Sequence, residues 1–415
     1  MANSDTEVAI IGGGAAGIAA GRRLAKAAID CLIIEARPRL GGRAWTVNDR
    51  AGHALDAGCG WLHSADRNPW APIAQAQGYT IDKTLPPWER RSMSIGFPLA
   101  EQEEFSHAMH EFFERIGPAA QEHDVAASLA LAPGCRWNNL ITAVGTFISG
   151  AEYDRVSARD FDCYADDGVN WRVREGYGTT IAAHGEGLQV VLDCPVLQID
   201  HHGRRLKIET AKGVITADRA IVTLPSALLA DKEFLFSPAL PDKTEAARGL
   251  PLGLADKLFL SLENAEEFEP GGQLFGHIDR VATGAYYFRP FGRPMIECYF
   301  CGKLASDLEA GGEQAFFEFA ASELGGLLGS DFPRRLKTVQ LHRWGADPFA
   351  RGSYSFALPG RADCRAKLAA SVEDRLFFAG EACSKNDFST AHGGYLTGVA
   401  AADQAIAART RKLSP

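Results

Sequence analysis

Six residues near the start of the chain, Gly12-Gly13-Gly14-Ala15-Ala16-Gly17, have the types and spacing G-x-G-x-x-G. A run of this kind binds a dinucleotide when it joins a strand to a helix. Gly12 allows the tight turn, Gly14 lets the backbone approach a pyrophosphate, and Gly17 lets the helix pack closely. A helix starting at Ala15 and Ala16 turns free N–H groups and the positive end of its dipole toward the phosphates. Glu35 lies about twenty positions further on, where a carboxylate for a ribose hydroxyl belongs. Gly41-Gly42-Arg43 offers related chemistry, since paired glycines permit close backbone approach and arginine suits phosphate. The one Cys-x-x-Cys, Cys298 and Cys301, sits in a strand-like run. Residues three apart in a strand point to opposite faces, so the pair reads as two structural cysteines.

These residues need particular elements to hold them. Residues 8–11 are a short apolar run of strand type, residues 15–28 an alanine-rich helix, and Cys31-Leu32-Ile33-Ile34 a second strand ending at Glu35. Strand, glycine turn, helix, strand and acidic end is the context the motif requires. Further along, Arg174-Glu175-Gly176-Tyr177-Gly178 opens a helix and residues 190–200 supply a strand. Hairpins are expected around His202-Gly203 and Lys212-Gly213, and residues 220–224 form a strand closed by Pro225. Residues 376–378 are a strand run, followed by Ala379-Gly380-Glu381 and later by an alanine-rich helix. Phe105, Met109, Phe112 and Phe113 recur at helical spacing within 101–115 and read as a packed helix face.

The 415 residues are 46% hydrophobic and 23% charged, an ordinary globular composition with room for two or three domains. A net charge of −9 argues against general nucleic-acid binding, which needs a basic face. No secretory signal or bilayer-length apolar run is read, and nine scattered cysteines suit a reducing compartment, so a cytoplasmic protein without membrane partner is expected. No metal site is expected, because no second cysteine pair completes one.

Four segments taken together resemble the flavin amine oxidase family, which includes monoamine and polyamine oxidases. They are Glu35-Ala36-Arg37-Pro38-Arg39-Leu40-Gly41-Gly42-Arg43-Ala44-Trp45-Thr46, Asp56-Ala57-Gly58-Cys59-Gly60-Trp61-Leu62-His63 with Asn68-Pro69, Ala379-Gly380-Glu381, and Ser389-Thr390-Ala391-His392-Gly393-Gly394-Tyr395. The resemblance implies FAD as cofactor. Ala36, Arg37, Gly42 and Arg43 would then join Gly12, Gly14, Ala15, Ala16, Gly17 and Glu35 along its adenosine and phosphate end. Val196 would meet the adenine, Gly58, Gly60 and Trp61 would run along the isoalloxazine, and Gly380 and Glu381 would hold the ribityl–phosphate part. Thr390 and Ala391, at the start of the last helix, would face the flavin pyrimidine edge.

The implied fold is α/β, a two-domain flavin amine oxidase architecture. A Rossmann-type FAD-binding domain would be assembled from 1–75, 174–248 and 355–415. An α+β substrate domain with a mixed sheet would be assembled from 76–173 and 249–354. The implied catalytic positions are Lys257, Tyr354, Thr390, His63 and Trp344. Lys257 resembles a lysine that holds a water at flavin N5, Tyr354 one wall of an aromatic amine cage, and Trp344 either a cage neighbour or core packing. Ser353 stands where monoamine oxidases of animals carry the cysteine bonded to FAD, so non-covalent FAD is expected. Thr390 replaces the second aromatic wall, and with His63 it is closer to polyamine oxidases.

The implied activity is oxidation of an amine substrate to an imine, hydrolysed to an aldehyde or ketone, with molecular oxygen reduced to hydrogen peroxide. A homodimer is allowed. Two other readings stay open: a flavin-dependent dehydrogenase or desaturase of a non-amine using another acceptor, and a flavoprotein without enzymatic activity.

Overall fold

The computed structural model describes residues 4–231 and 235–413. The glycine turn sits at the carboxyl end of the first strand, Ser4–Ile11, and feeds the helix Ala15–Lys26. Strand Cys31–Ile34 returns parallel to the first, with Val8 opposite Cys31 and Ile11 opposite Ile34. On the other side lies the long strand Gly213–Val222, also parallel to the first. Its first half pairs antiparallel with Leu206–Thr210 and its last three residues pair parallel with Leu376–Phe378. The strands Val196–Asp200, Phe236–Ser237 and Val190–Val191 complete an eight-stranded mixed sheet. The hairpins at 202–203 and 212–213 therefore occur where turn residues placed them, and the strand read at 220–224 begins earlier, at Gly213.

Apolar side chains explain why this sheet is buried on both faces. Val8, Ile10, Leu24, Ile33 and Phe377 pack with Ala401, Ala402 and Ala405 on one face. Ile11, Ile199, Ile208, Val222 and Phe378 pack on the other. Each aliphatic side chain so buried contributes about 1.5–3 kcal/mol. The small residues have a second consequence. The last helix, Ala391–Leu413, packs along Ala15–Lys26, and a side chain at Gly398 would come within 2.1 Å of the Ala16 carbonyl oxygen. Two helix N-termini from opposite ends of the chain thus meet at one place: a Cβ on Gly394 would lie 3.6 Å from the Ala15 Cβ.

A second sheet has five strands in the order Gly272–Phe275, Ala285–Phe288, Met295–Cys301, Ala255–Leu262 and Leu336–Leu341. Every pairing in it is antiparallel, so the molecule's mixed sheet is the nucleotide-binding one, and the second domain joins an antiparallel sheet to helices. Helix Asn138–Ser149 packs on strand Met295–Cys301, and helix Leu99–Glu122 packs on Ala158–Asp162. Of the aromatic stripe, Phe112 is fully buried and Phe105 and Met109 partly so, whereas Phe113 is 41% exposed. No helix among the described residues is long and apolar enough to cross a membrane.

Candidate active site

The nucleotide end is built from backbone. Gly12 adopts φ +107°, which a side chain resists, and a Cβ on Gly17 would lie 1.9 Å from the Gly12 carbonyl oxygen. Gly14 differs: a Cβ there would meet nothing nearer than 3.9 Å, so the space in front of it is open. No side chain caps the helix that follows, and its first turn holds no acid, leaving the N–H groups of Ala15, Ala16 and Gly17 facing that space. Glu35 is drawn onto the turn, accepting from Gly13 N at 2.6 Å and from Arg37 N at 2.8 Å. Asp193 N and Cys194 N donate to the carbonyls of Arg37 and Glu35, which ties the segment leading into strand Val196–Asp200 to this end. The open cradle and uncapped N-terminus suit a pyrophosphate, so the residues present fit FAD.

Arg37 and Arg43 take different places. The Arg37 guanidinium grips Asp347 with two bonds of 2.8 and 2.7 Å, so its charge is already answered. Arg43 donates to Glu381 and to the Ser353 carbonyl, both at 2.9 Å. Gly42, at φ +60°, brings its backbone against Gly14. Glu381 also accepts from the Ser355 hydroxyl at 2.6 Å and from Ser389 N at 3.0 Å. Burial alone would raise its carboxyl, but Arg43, the Ser355 hydroxyl and Arg365 hold it below the ordinary value. Beside it a Cβ on Gly380 would meet nothing within 4 Å, a second open cradle next to the last helix.

The reactive end is built from side chains on separate strands. Lys257 lies in Ala255–Leu262, directly opposite Tyr299 of Met295–Cys301. Opposed residues share a sheet face. Lys257 Nζ donates to the carbonyls of Asp56 and Gly58, at 3.0 and 2.9 Å, and lies 3.3 Å from Glu297. An ammonium has three N–H groups, and these three acceptors match them. Gly60 keeps room for this arrangement, since a Cβ there would come 3.1 Å from Nζ. Tyr354 stands on the short strand Tyr354–Ser355 and donates to the Phe147 carbonyl at 2.7 Å, with its hydroxyl 3.0 Å from that of Tyr299. Phe147, Tyr299 and Tyr354 each keep a partly exposed face deep in the protein and form an aromatic wall. Ser353 bridges both backbone groups of Ala255 at 2.9 Å, so its hydroxyl tethers the wall to the lysine strand.

The other expected positions are more structural. Thr390 caps the last helix: its hydroxyl accepts from Gly393 N at 3.0 Å and donates to Asp387 O at 2.6 Å. Ala391 begins that helix, its carbonyl taking the Trp70 indole N–H. Trp344 is only 2% exposed; its indole N–H donates to Ala57 O and its backbone N–H to Asp256 Oδ1, both at 3.0 Å, so it packs in the core and not on the wall. Its indole N–H thereby holds the Ala57 carbonyl, which lies between the Asp56 and Gly58 carbonyls that Lys257 uses. Burial pushes the Asp256 carboxyl well up, with Glu309 adding to the shift. His63 Nδ1 meets Asn170 Oδ1 at 2.6 Å, and burial pushes its imidazole down toward the neutral form. Trp61 packs edge-on against Trp88 at 4.6 Å and lies under the Arg172 guanidinium.

Sequence reasoning missed Arg172, Asn170, Glu297, Tyr299 and Phe147. One signal was available: Glu297, Tyr299 and Cys301 alternate on one face of a strand, a period of two that a buried core strand would fill with apolar residues. Among the described residues no group of three or more potential ligands could hold a metal ion.

Comparison with known proteins completes the picture. A family model described as flavin containing amine oxidoreductase matches residues 157–406, and one described as NAD(P)-binding Rossmann-like domain matches residues 10–75. The chain is 29% identical to polyamine oxidase 3 of Oryza sativa subsp. japonica, over 95% of this chain and 88% of that protein. It is also 29% identical to polyamine oxidase 2 of Arabidopsis thaliana, over 97% of this chain and 88% of that protein. A solved structure of putrescine oxidase bound to putrescine shares the fold, with a TM-score of 0.78 at 18% identity, covering 98% of this chain and 100% of that one.

Proposed function

The chain belongs to the flavin-containing amine oxidoreductases, and on that premise we propose that it oxidises a primary or secondary amine to an imine with molecular oxygen as acceptor. FAD is its cofactor; when bound, it supplies the two-electron acceptor that takes hydride from the carbon next to nitrogen and passes the electrons to oxygen, giving hydrogen peroxide. Everything else falls to the chain. The Gly12–Gly17 turn and Glu35 hold the adenosine and phosphate end. Arg43 and Glu381 hold the middle, and Ser353 in place of a cysteine leaves the cofactor non-covalent.

The observation that carries this reading is one cation and one aromatic wall on the same sheet face: Lys257 opposite Tyr299, with Tyr299 against Tyr354. Aromatic faces orient an amine nitrogen, and a fixed ammonium stabilises negative charge that develops beside it. The amine arrives neutral, so no general base is assigned. His63 stays neutral through burial and lends shape and a hydrogen bond. The imine is hydrolysed to an aldehyde or ketone. The relatives' names put diamines and polyamines first among substrates. All nine cysteines are free, which supports a reducing, cytoplasmic setting.

The test is an aerobic panel of polyamines, aryl amines and cyclic amines with peroxide detection. At least one class should yield peroxide and carbonyl product in equal amounts. Substrate turnover that requires a carrier and gives no peroxide would overturn the oxygen assignment. Acid-denatured protein should release its yellow colour to the supernatant; colour retained on the precipitate would refute non-covalent binding.

A further inference from the structure

Three buried ionised groups stand in one row beside the aromatic wall. Glu297 Oε1 lies 3.3 Å from Lys257 Nζ, and Glu297 Oε2 lies 3.0 Å from an Arg172 terminal nitrogen. The side chains of Arg172, Glu297 and Lys257 are 6%, 7% and 10% exposed, so water does little to screen them. Strand period puts Glu297 on the same face as Tyr299, which opposes Lys257. The Arg172 guanidinium is clamped between rings, 5.0 Å from the centre of Trp61 and 4.8 Å from that of Phe291. Burial would raise the Glu297 carboxyl, yet Arg172 and Lys257 hold it ionised.

We propose that Arg172 and Glu297 are positioning residues that fix Lys257 and set the charge felt by the flavin. The proposal rests on the reading above, in which Lys257 faces the flavin. Two of the acceptors around Nζ are backbone carbonyls that no substitution removes. Glu297 is the third, and the only one carrying charge. It pulls the ammonium toward the sheet and halves the positive charge of the pair of cations. Arg172 in turn keeps Glu297 from cancelling Lys257 outright. The three groups together carry one net positive charge; without Glu297 they carry two, and without Arg172 none. The nearby Asp56 carboxylate is held by Thr46, Tyr177 N and Gly178 N and is common to every variant.

This charge ladder gives opposite signs that a purely structural role would not. Reduction adds negative charge to the flavin, so positive surroundings raise its midpoint potential. The experiment is measurement of the flavin potential in purified holoenzyme against reference dyes. Glu297→Gln should raise it and Arg172→Gln should lower it, each by about 30 mV or more, which is a tenfold change in a two-electron equilibrium. The double variant Arg172→Gln/Glu297→Gln restores one net charge and should return to the native potential. It removes both members of the Arg172–Glu297 pair together and leaves Lys257 on its two backbone carbonyls, so it serves where a single variant fails to fold. In that case adding Lys257→Met to the double variant should lower the potential again. Shifts of the same sign in both single variants, or no shift, would overturn the proposal, as would a triple variant with the double variant's potential. If native holoenzyme forms but no amine reduces it, the amine oxidase reading fails instead, and the potentials still test the cluster.

Discussion

The nucleotide turn and the lysine site are made by opposite means. The turn is backbone from one continuous stretch, and its specificity is absence: missing side chains at Gly12, Gly14 and Gly17, and a missing cap on the helix. The lysine site is presence: Lys257, Glu297, Arg172, Tyr299 and Tyr354 come from four segments and meet only when the second sheet forms. The first is therefore sensitive to added atoms and the second to removed charge.

The largest effect tests the first half of that contrast. Gly17→Ala puts a methyl group 1.9 Å from a carbonyl oxygen in the core of the turn. It should cost about 3 kcal/mol or more and leave little folded flavoprotein, as read by thermal melting and visible flavin absorbance. Gly14→Ala separates fold from cofactor, because its methyl group enters open space at an ordinary φ of −80°. Apoprotein stability should stay within about 0.5 kcal/mol of native, while FAD affinity falls at least about tenfold. Equal stability losses in the two variants would break the contrast.

The next effect tests the second half. Lys257→Met should slow reoxidation of the reduced enzyme by oxygen about a hundredfold, the usual loss when a preorganised charge is removed. Reduction by amine should continue, as read by stopped-flow absorbance. Loss of both half-reactions together would mean that the lysine holds structure and not charge.

How far each half was legible follows from the same physics. The turn, its flanking strands and the last strand are local patterns, and the first sheet forms where the apolar runs end. The far partners of the site were not legible: Arg172 lies between Trp171 and Val173 with nothing local to mark it, and its role appears only across the Glu297 contact. Thr390 reads as a replaced cage wall from its place in the family motif; that its hydroxyl also caps the last helix shows only in the structure. Trp344 is ambiguous in sequence because an aromatic ring serves a cage or a core equally well. A side chain's neighbours decide its work, and those neighbours lie on other strands.

Two smaller effects concern titration. Burial pushes the His392 imidazole down to about 4, and the Asp387 carboxylate beside it only partly offsets this. Between an ordinary histidine value of about 6.5 and about 4, the unfolded chain binds a proton that the folded one refuses. Stability should therefore fall as pH drops through that window, by about 1–3 kcal/mol, and His392→Gln should flatten the fall in chemical-denaturation curves. Asp256 has the opposite sign. Its raised carboxyl keeps a proton in the folded state, so its cost grows as pH rises above the ordinary carboxylate value. Asp256→Asn, which needs no such proton, should stabilise the protein by about 1 kcal/mol at about pH 8 and by much less at about pH 5.

The central claim is that this chain brings an amine to a flavin held at the glycine turn. The most direct test is anaerobic titration of native holoenzyme with the amine panel while the visible flavin absorbance is followed. The account expects one amine class to bleach the flavin fully at one equivalent, with the matching alcohols inert and the colour restored by air. A holoenzyme that dithionite reduces but no amine bleaches would contradict it.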